Sequence, residues 1–236
     1  MTITTHDLLD FGLPSPTQAV LQVWRSALVL APRTATACTD AYVMHQLVER
    51  GLGRVTTTGP RNGRTLYTAA RNPARHNPRN PLTLHAGPPH TLLVQTPSPP
   101  DWAPLQSSEA IVSARTELVE QTWKTGDTAQ IRTIASPLVT KNNDDRQRRR
   151  VPLTNPEACG TWLHDRLHKA GCTLNRHDIT MNDPEHTHQQ GRTITLRHFH
   201  ATVTITNPHA FTKMLTTGLG HNRAWGAGLV LARHTN

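Results

Sequence analysis

Two asparagine–proline pairs, Asn155-Pro156 and Asn207-Pro208, each open a stretch that a glycine closes, at Gly171 and Gly218. Asparagine is a preferred helix N-cap, and proline suits the first helical turn because the N–H it lacks has no partner there. Glycine favours the stop, since it takes the left-handed conformation that ends many helices. "NPEACGTWLHDRLHKAG" and "NPHAFTKMLTTG" therefore each read as one helix. Strand-like runs surround them: "AQIRTIASPLV" (129–139) before the first, "CTLNRHDITM" and "RTITLRHFHATVTIT" between the two, and "GAGLVLARH" after the second. Their order is βαββαβ, the ferredoxin-like unit.

The first half repeats this rhythm less completely. "WRSALVLAP" (24–32) predicts a strand, and a helix follows with Thr39 or Asp40 as N-cap and Gly51 as its stop. "TLYTAAR" (65–71) and "HTLLVQT" (90–96) predict two more strands. Between them "NPARHNPRNPLTLHAGPP" reads as a long basic loop; after them "TPSPPDWAPLQSS" reads as an extended, proline-stiffened connection. The expected fold class is α+β: two tandem ferredoxin-like (RRM-like, βαββαβ) domains joined by a proline-rich linker. The expected division is an N-terminal extension at 1–23, a first domain at 24–120 and a second at 121–236. This fold hosts many functions, so the site must decide the activity.

A formal net charge of +9 favours a polyanionic partner, nucleic acid ahead of an anionic membrane. No apolar run approaches the ~18 residues of a spanning helix, so no membrane partner is expected. Cys38, Cys159 and Cys172 form no CxxC pair, which argues against a zinc ribbon or a disulfide framework. The opening "MTITTHDLLDFGLPSPTQ" lacks the basic and apolar regions of a signal peptide, and the expected location is cytoplasmic with reduced thiols. Pairs of histidines occur at His186/His188, His198/His200 and His164/His168. None has a third ligand or a paired carboxylate nearby, so they read as surface histidines; neither a metal nor another cofactor is expected.

On the helix "TDAYVMHQLVERG", Ala41, Met44, Leu47, Val48 and Gly51 gather on one face, which must meet the core. Tyr42, His45 and Glu49, spaced three and four apart, gather on another flank. From the residues alone His45 reads as an exposed histidine on a solvated face. Lys141, Arg146, Arg148, Arg149 and Arg150 sit in a stretch that also holds Asp144 and Asp145. An arginine cluster is what phosphate neutralisation requires, and a solvated excursion is the plainer alternative. Arg132, on the strand before it, joins the candidate RNA contacts. Aromatic residues are scarce on the predicted strands, so duplex reading by shape and phosphate fits better than base stacking.

The stretch "GLGHNRAWGAGLVLARH" (218–234) sets Gly218, Gly220, Gly226 and Gly228 around Arg223, directly before the last strand. A P-loop needs Lys and Ser/Thr after its final glycine, and a dinucleotide fingerprint precedes a helix; neither matches. Glycines let a backbone approach a ligand and turn N–H groups toward an anion, while Arg223 adds charge. The structural alternative is a tight helix-to-strand turn.

This stretch resembles the C-terminal glycine-rich motif of the CRISPR repeat-associated RNA-binding proteins, the RAMP superfamily. More narrowly, "WRSALVLAP", "DAYVMHQLV", "LLVQTPSPPDW", "IRTIASP", "RRRVPLTNPE" with "WLHDRLHKAG", and "ATVTITNPHAFTKMLTTGLGHNRAWGAGLVL" together resemble the CRISPR RNA-processing endoribonuclease of the type I-E Cascade complex. The resemblance implies two ferredoxin-like domains and metal-independent cleavage of repeat RNA at the 3′ base of a hairpin stem, leaving a 2′,3′-cyclic phosphate and a 5′-hydroxyl. It implies that Tyr42 and His45 are catalytic, and that Arg223 takes the place of the family's loop Lys or Arg. The implied partners are the CRISPR repeat hairpin, in precursor and mature crRNA, and the other Cascade subunits. Residues 1–23 and a longer 72–89 loop depart from the pattern. Two other readings remain: a non-catalytic RAMP-type RNA-binding scaffold, and an unrelated basic nucleic-acid-binding module.

Overall fold

The structure, a computed structural model, describes residues 17–52, 64–71, 75–77, 80–85, 88–142 and 148–235. Its first strand, β1 (Gln18–Leu30), serves two cores because its buried face changes midway. Ala19, Leu21 and Val23 are buried before Trp24, whereas Ser26, Leu28 and Leu30 are buried beyond Arg25. Leu21 and Val23 join the core of the second half, and Leu28 and Leu30 that of the first.

A short helix, α1 (Pro32–Ala37), leads into α2 (Ala41–Gly51). Asp40 caps α2, its Oδ1 accepting from the Tyr42 N–H at 2.7 Å. The helix buries Ala41, Met44, Leu47, Val48 and Gly51, the stripe its spacing predicts. Next come β2 (Leu66–Arg71), β3 (Arg75–Asn77), β4 (Asn80–His85), β5 (Pro89–Thr96), α3 (Ala103–Ser107) and β6 (Ile111–Lys124). The sheet order is β2-β5-β1-β6, every pair antiparallel. Counting β1, β2, β5 and β6 as first to fourth, this is the ferredoxin-like arrangement.

The second half holds β7 (Thr128–Ala135), β8 (Leu138–Asn142), β9 (Arg148–Pro152), α4 (Pro156–Lys169), β10 (Cys172–Thr173), β11 (Ile179–Met181), β12 (Glu185–Gln189), β13 (Arg192–Ile205), α5 (Pro208–Thr217) and β14 (Val230–His234). Strand β7 lies between β14 and β13, and β10 and β11 line the far edge of β13. This is the same order again. Both Asn-Pro openings cap as predicted. Asn155 Oδ1 accepts from Glu157 and Ala158 N–H at 2.8 and 3.2 Å, and Asn207 Oδ1 from Ala210 N–H at 3.0 Å.

Several elements differ from the sequence reading. Strand β1 begins at Gln18, ahead of Trp24, because Leu21 and Val23 pack into the core cluster that holds Phe211, Met214 and Leu215 of α5. The segment read as a basic loop forms the β3–β4 hairpin, which joins β12 through a short parallel pairing of β4. The proline-rich stretch lies between β5 and β6 and contains α3, whereas the two units meet at the turn Thr125–Asp127. "CTLNRHDITM" is interrupted: a 3-10 turn at Arg176–Asp178 separates β10 from β11. The basic stretch after β7 is a hairpin, β8 with β9.

The hairpin of β12 and β13 ties the second unit to the first at the start of α2. The Thr187 hydroxyl donates to Thr39 O at 3.1 Å, and Gln190 N–H donates to Asp40 Oδ2 at 3.2 Å. On the other side, Gln95 Nε2 donates to Leu215 O of α5 at 2.8 Å.

Candidate active site and nucleic-acid interface

The glycine segment folds back on itself at the end of β7. Leu219 N–H donates to Gly228 O at 2.8 Å, and Gly228 N–H donates to Ile134 O at 2.6 Å. Asn222 takes the left-handed conformation at φ 60° and donates from Nδ2 to Ser136 Oγ at 3.0 Å. Arg223–Trp225 then form one 3-10 turn, held by Tyr67 Oη, which donates to Ala224 O at 2.5 Å. Gly218 and Gly220 lie at the α5 end of the loop, Gly226 and Gly228 at the β14 end. Gly226, at φ +79°, is closely approached: a Cβ would stand 2.8 Å from Met44 Cε and 3.2 Å from Tyr67 Cε2. This close approach brings α2 and β2 onto the loop backbone.

The loop presents Trp225 to the polar flank of α2. Its indole lies edge-on to the His45 imidazole, with ring centroids 5.2 Å apart, and tilted against Tyr42 at 6.1 Å. His45 is half-buried, and its Nδ1 is sealed from solvent with no hydrogen-bond partner among the described residues. Nε2 is therefore the nitrogen left for a ligand. Glu49, one turn on, is exposed.

Positive charge converges on the same loop from separate elements. Arg223 Nη1 donates to Thr217 O at 3.0 Å and Gly218 O at 3.4 Å, so this arginine also closes the end of α5. Partial burial, with Arg64 and Arg166 near, lowers its pKa. The His221 imidazole is likewise held below its ordinary value, by partial burial and then by Arg150, Arg166 and Arg223. On the β8–β9 hairpin Lys141 stands directly opposite Arg149, and both are exposed. Like charges so placed repel, and an anion relieves them. A phosphate backbone laid across this surface would meet the charges of Lys141, Arg149, Arg150, Arg166 and Arg223.

Other predicted residues fall elsewhere. Arg146 lies outside the described residues, as does the side chain of Arg148, whose backbone opens β9. Arg132 stands apart from the loop, exposed on the outer face of the second sheet opposite His200. Trp225, Arg64 and Arg166 were not singled out from the sequence. A tryptophan inside the glycine motif was the available signal for the first; only folding brings the two arginines in. Among the described residues no three His, Cys, Asp or Glu side chains group as metal ligands. No described helix is long and apolar enough to cross a membrane.

A double ferredoxin-like fold whose glycine loop carries a cationic surface up to a helix-borne histidine defines the class. The chain belongs to the CRISPR associated protein family, whose profile matches residues 23–233. Its fold resembles that of Thermus thermophilus Cse3, solved bound to an RNA representing a pre-cleavage complex, at 24% identity and a TM-score of 0.72, over 90% of this chain and 99% of that one. It also resembles the CRISPR endoribonuclease Cse3 bound to a 19-nucleotide RNA, at 23% identity and a TM-score of 0.67, over 89% and 99%. A chain of a CRISPR RNA-guided surveillance complex matches at 20% identity and a TM-score of 0.55, over 90% and 100%. No curated protein sequence matches the chain.

Proposed function

We propose that the protein is a metal-independent endoribonuclease. It cleaves CRISPR repeat hairpins in precursor crRNA at the 3′ base of the stem. It then stays on the mature crRNA as a subunit of a cytoplasmic Cascade complex. The observation that carries the reading is the meeting of His45 and Tyr42 with Trp225 of the glycine loop, beside the arginines that converge there.

In this reading the 2′-hydroxyl beside the scissile phosphate attacks in line, giving a 2′,3′-cyclic phosphate and releasing the 5′-oxygen as a hydroxyl. His45 transfers a proton at one of these oxygens through Nε2, with Tyr42 as its partner; a positioned acid or base contributes typically ~10²–10⁴-fold. Arg150, Arg166 and Arg223 hold the stem phosphates, which fixes the substrate and stabilises developing charge. The chemistry asks nothing of a metal, and similarity to the Cse3 fold supports the substrate class.

The deciding experiment compares the wild-type protein with His45→Ala on a CRISPR repeat hairpin in EDTA. The expected outcome is cleavage by the wild type alone, with cyclic-phosphate ends, and similar hairpin affinity for both proteins. Equal loss of binding and cleavage would make His45 structural. Hairpin binding without cleavage by either protein would leave a RAMP-type scaffold, and chelator-sensitive cleavage would remove metal independence.

A further inference from the structure

The outer face of the second sheet carries charge that the site above does not use. Arg132 on β7 lies opposite His200 on β13 and Leu231 on β14. Gln130, two residues away, lies opposite Thr202 and Arg233. Residues two apart on a strand share a face, and the alternate set, Ile131, Phe199 and Ala201, is buried beneath. Arg132, His200 and Arg233 are exposed. Arg132 has no ion pair or hydrogen bond among the described residues. Arg233 is steadied from the side by Gln130 Oε1, which accepts from Nε at 2.9 Å and Nη2 at 2.5 Å. The carboxylate bordering the face, Glu185, is already paired with His198 at 3.5 Å. Among the described residues the charges of Arg132 and Arg233 are thus answered by no carboxylate, and the His200 imidazole between them, held below its ordinary value by partial burial and by Arg132, is a neutral hydrogen-bonding group.

This face begins at the candidate active site. Ile134, two residues after Arg132 on the same side of β7, packs in one cluster with Trp225, and its carbonyl accepts the Gly228 N–H. From there the face runs away from the glycine loop along β7. A stem whose base sits at His45 would deliver its unpaired continuation there.

We infer that the face of Arg132, His200 and Arg233 is a second RNA-contact site, a track for the unpaired strand adjoining the hairpin stem. The inference rests on the hairpin-binding reading and extends it. No phenylalanine, tyrosine or tryptophan stands among these residues, so the track holds phosphates more than it stacks bases. Its binding is therefore salt-dependent and indifferent to sequence.

The test measures affinity of the full-length protein for a CRISPR repeat stem-loop, bare or with about eight uridines added at the 5′ or the 3′ end, within the usual single-strand site sizes. The scissile nucleotide carries a 2′-deoxy substitution, so binding is read without cleavage. A flank at one end is expected to tighten binding about fivefold at low salt. It should also steepen the salt dependence by about 1.4, for two phosphates at ~0.7 each on a single strand. Replacing the uridines by adenines should leave the gain unchanged. The double variant Arg132→Ala/Arg233→Ala, with thermal unfolding as a folding control, should bind flanked and bare RNA equally. The inference is overturned if neither flank adds affinity, as expected of a face built for another subunit, or if the double variant keeps the whole gain. Failure to cleave the all-ribose bare stem-loop would instead strike the nuclease reading and leave the flank comparison intact.

Discussion

The imidazole of His45 meets the indole of Trp225 edge-on, at 70° between the ring planes. The first belongs to α2, the second to the loop nearly at the end of the chain. Their contact makes the histidine's position depend on the loop that would grip RNA. Aromatic contacts of this kind contribute about 0.5–1.5 kcal/mol, equivalent to roughly two- to tenfold in a rate. Trp225→Ala is expected to slow single-turnover hairpin cleavage by about that factor while Kd changes little, and Trp225→Phe should restore most of the rate. A loss confined to affinity would mean that the indole contacts RNA without positioning His45.

Gly228 is the loop residue least able to carry a side chain. It sits at φ +89°, and an added Cβ would run into the Leu219 carbonyl oxygen. Gly191, at φ +79°, has nothing within 4 Å of such an atom. Positive φ costs a non-glycine residue roughly 1–3 kcal/mol, and the collision at Gly228 adds to it. Gly228→Ala should therefore lower stability in urea unfolding clearly more than Gly191→Ala, and weaken hairpin binding. Equal effects from the two substitutions would mean that the loop is not packed as described.

The parts of this arrangement that were readable from sequence are those that local chemistry specifies. Asn155-Pro156 and Asn207-Pro208 announce their helices because a cap is a contact between neighbours. The α2 stripe is readable because its burial follows one helical period. Strand β6 was not, since Val112, Arg115, Glu117, Leu118 and Glu120 are exposed and leave no apolar alternation; pairing along β1 makes it a strand. The β3–β4 hairpin was hidden in the same way, as its neighbour β12 arrives from a distant stretch of chain. The glycine loop was legible as a motif, yet its partners Tyr67, Met44, Arg64 and Arg166 come from elements that only the fold assembles.

If Arg150 and Arg166 neutralise stem phosphates, each must appear in the salt dependence of binding. The slope of log K against log salt is about 0.9 per duplex phosphate contacted. Arg150→Ala and Arg166→Ala should each flatten that slope by roughly this amount, and together by about twice it. Thermal stability should move little for Arg150, which lies exposed on the hairpin. Unchanged slopes would place the RNA on another surface.

The joint between the two units should open with acid. Glu185 on β12 faces His198 on its own hairpin and Arg71 on β2 of the first unit. The hydrogen bond from His198 holds its carboxyl below the ordinary value; burial opposes this, and the charges of His198 and Arg71 reinforce it. A carboxyl with a depressed folded pKa stabilises the fold fully above its unfolded value, and loses that contribution as pH falls through the folded one. As pH falls below the ordinary carboxylate range the wild type should thus lose stability that Glu185→Gln never had. Other carboxylates titrate in both proteins, so the informative quantity is the difference between their unfolding midpoints. That difference should be open above the ordinary carboxylate range and close as pH falls through it. A constant offset across the range would mean that Glu185 is not held as a paired carboxylate, and that the contact of β12 with the start of α2 rests on its hydrogen bonds alone.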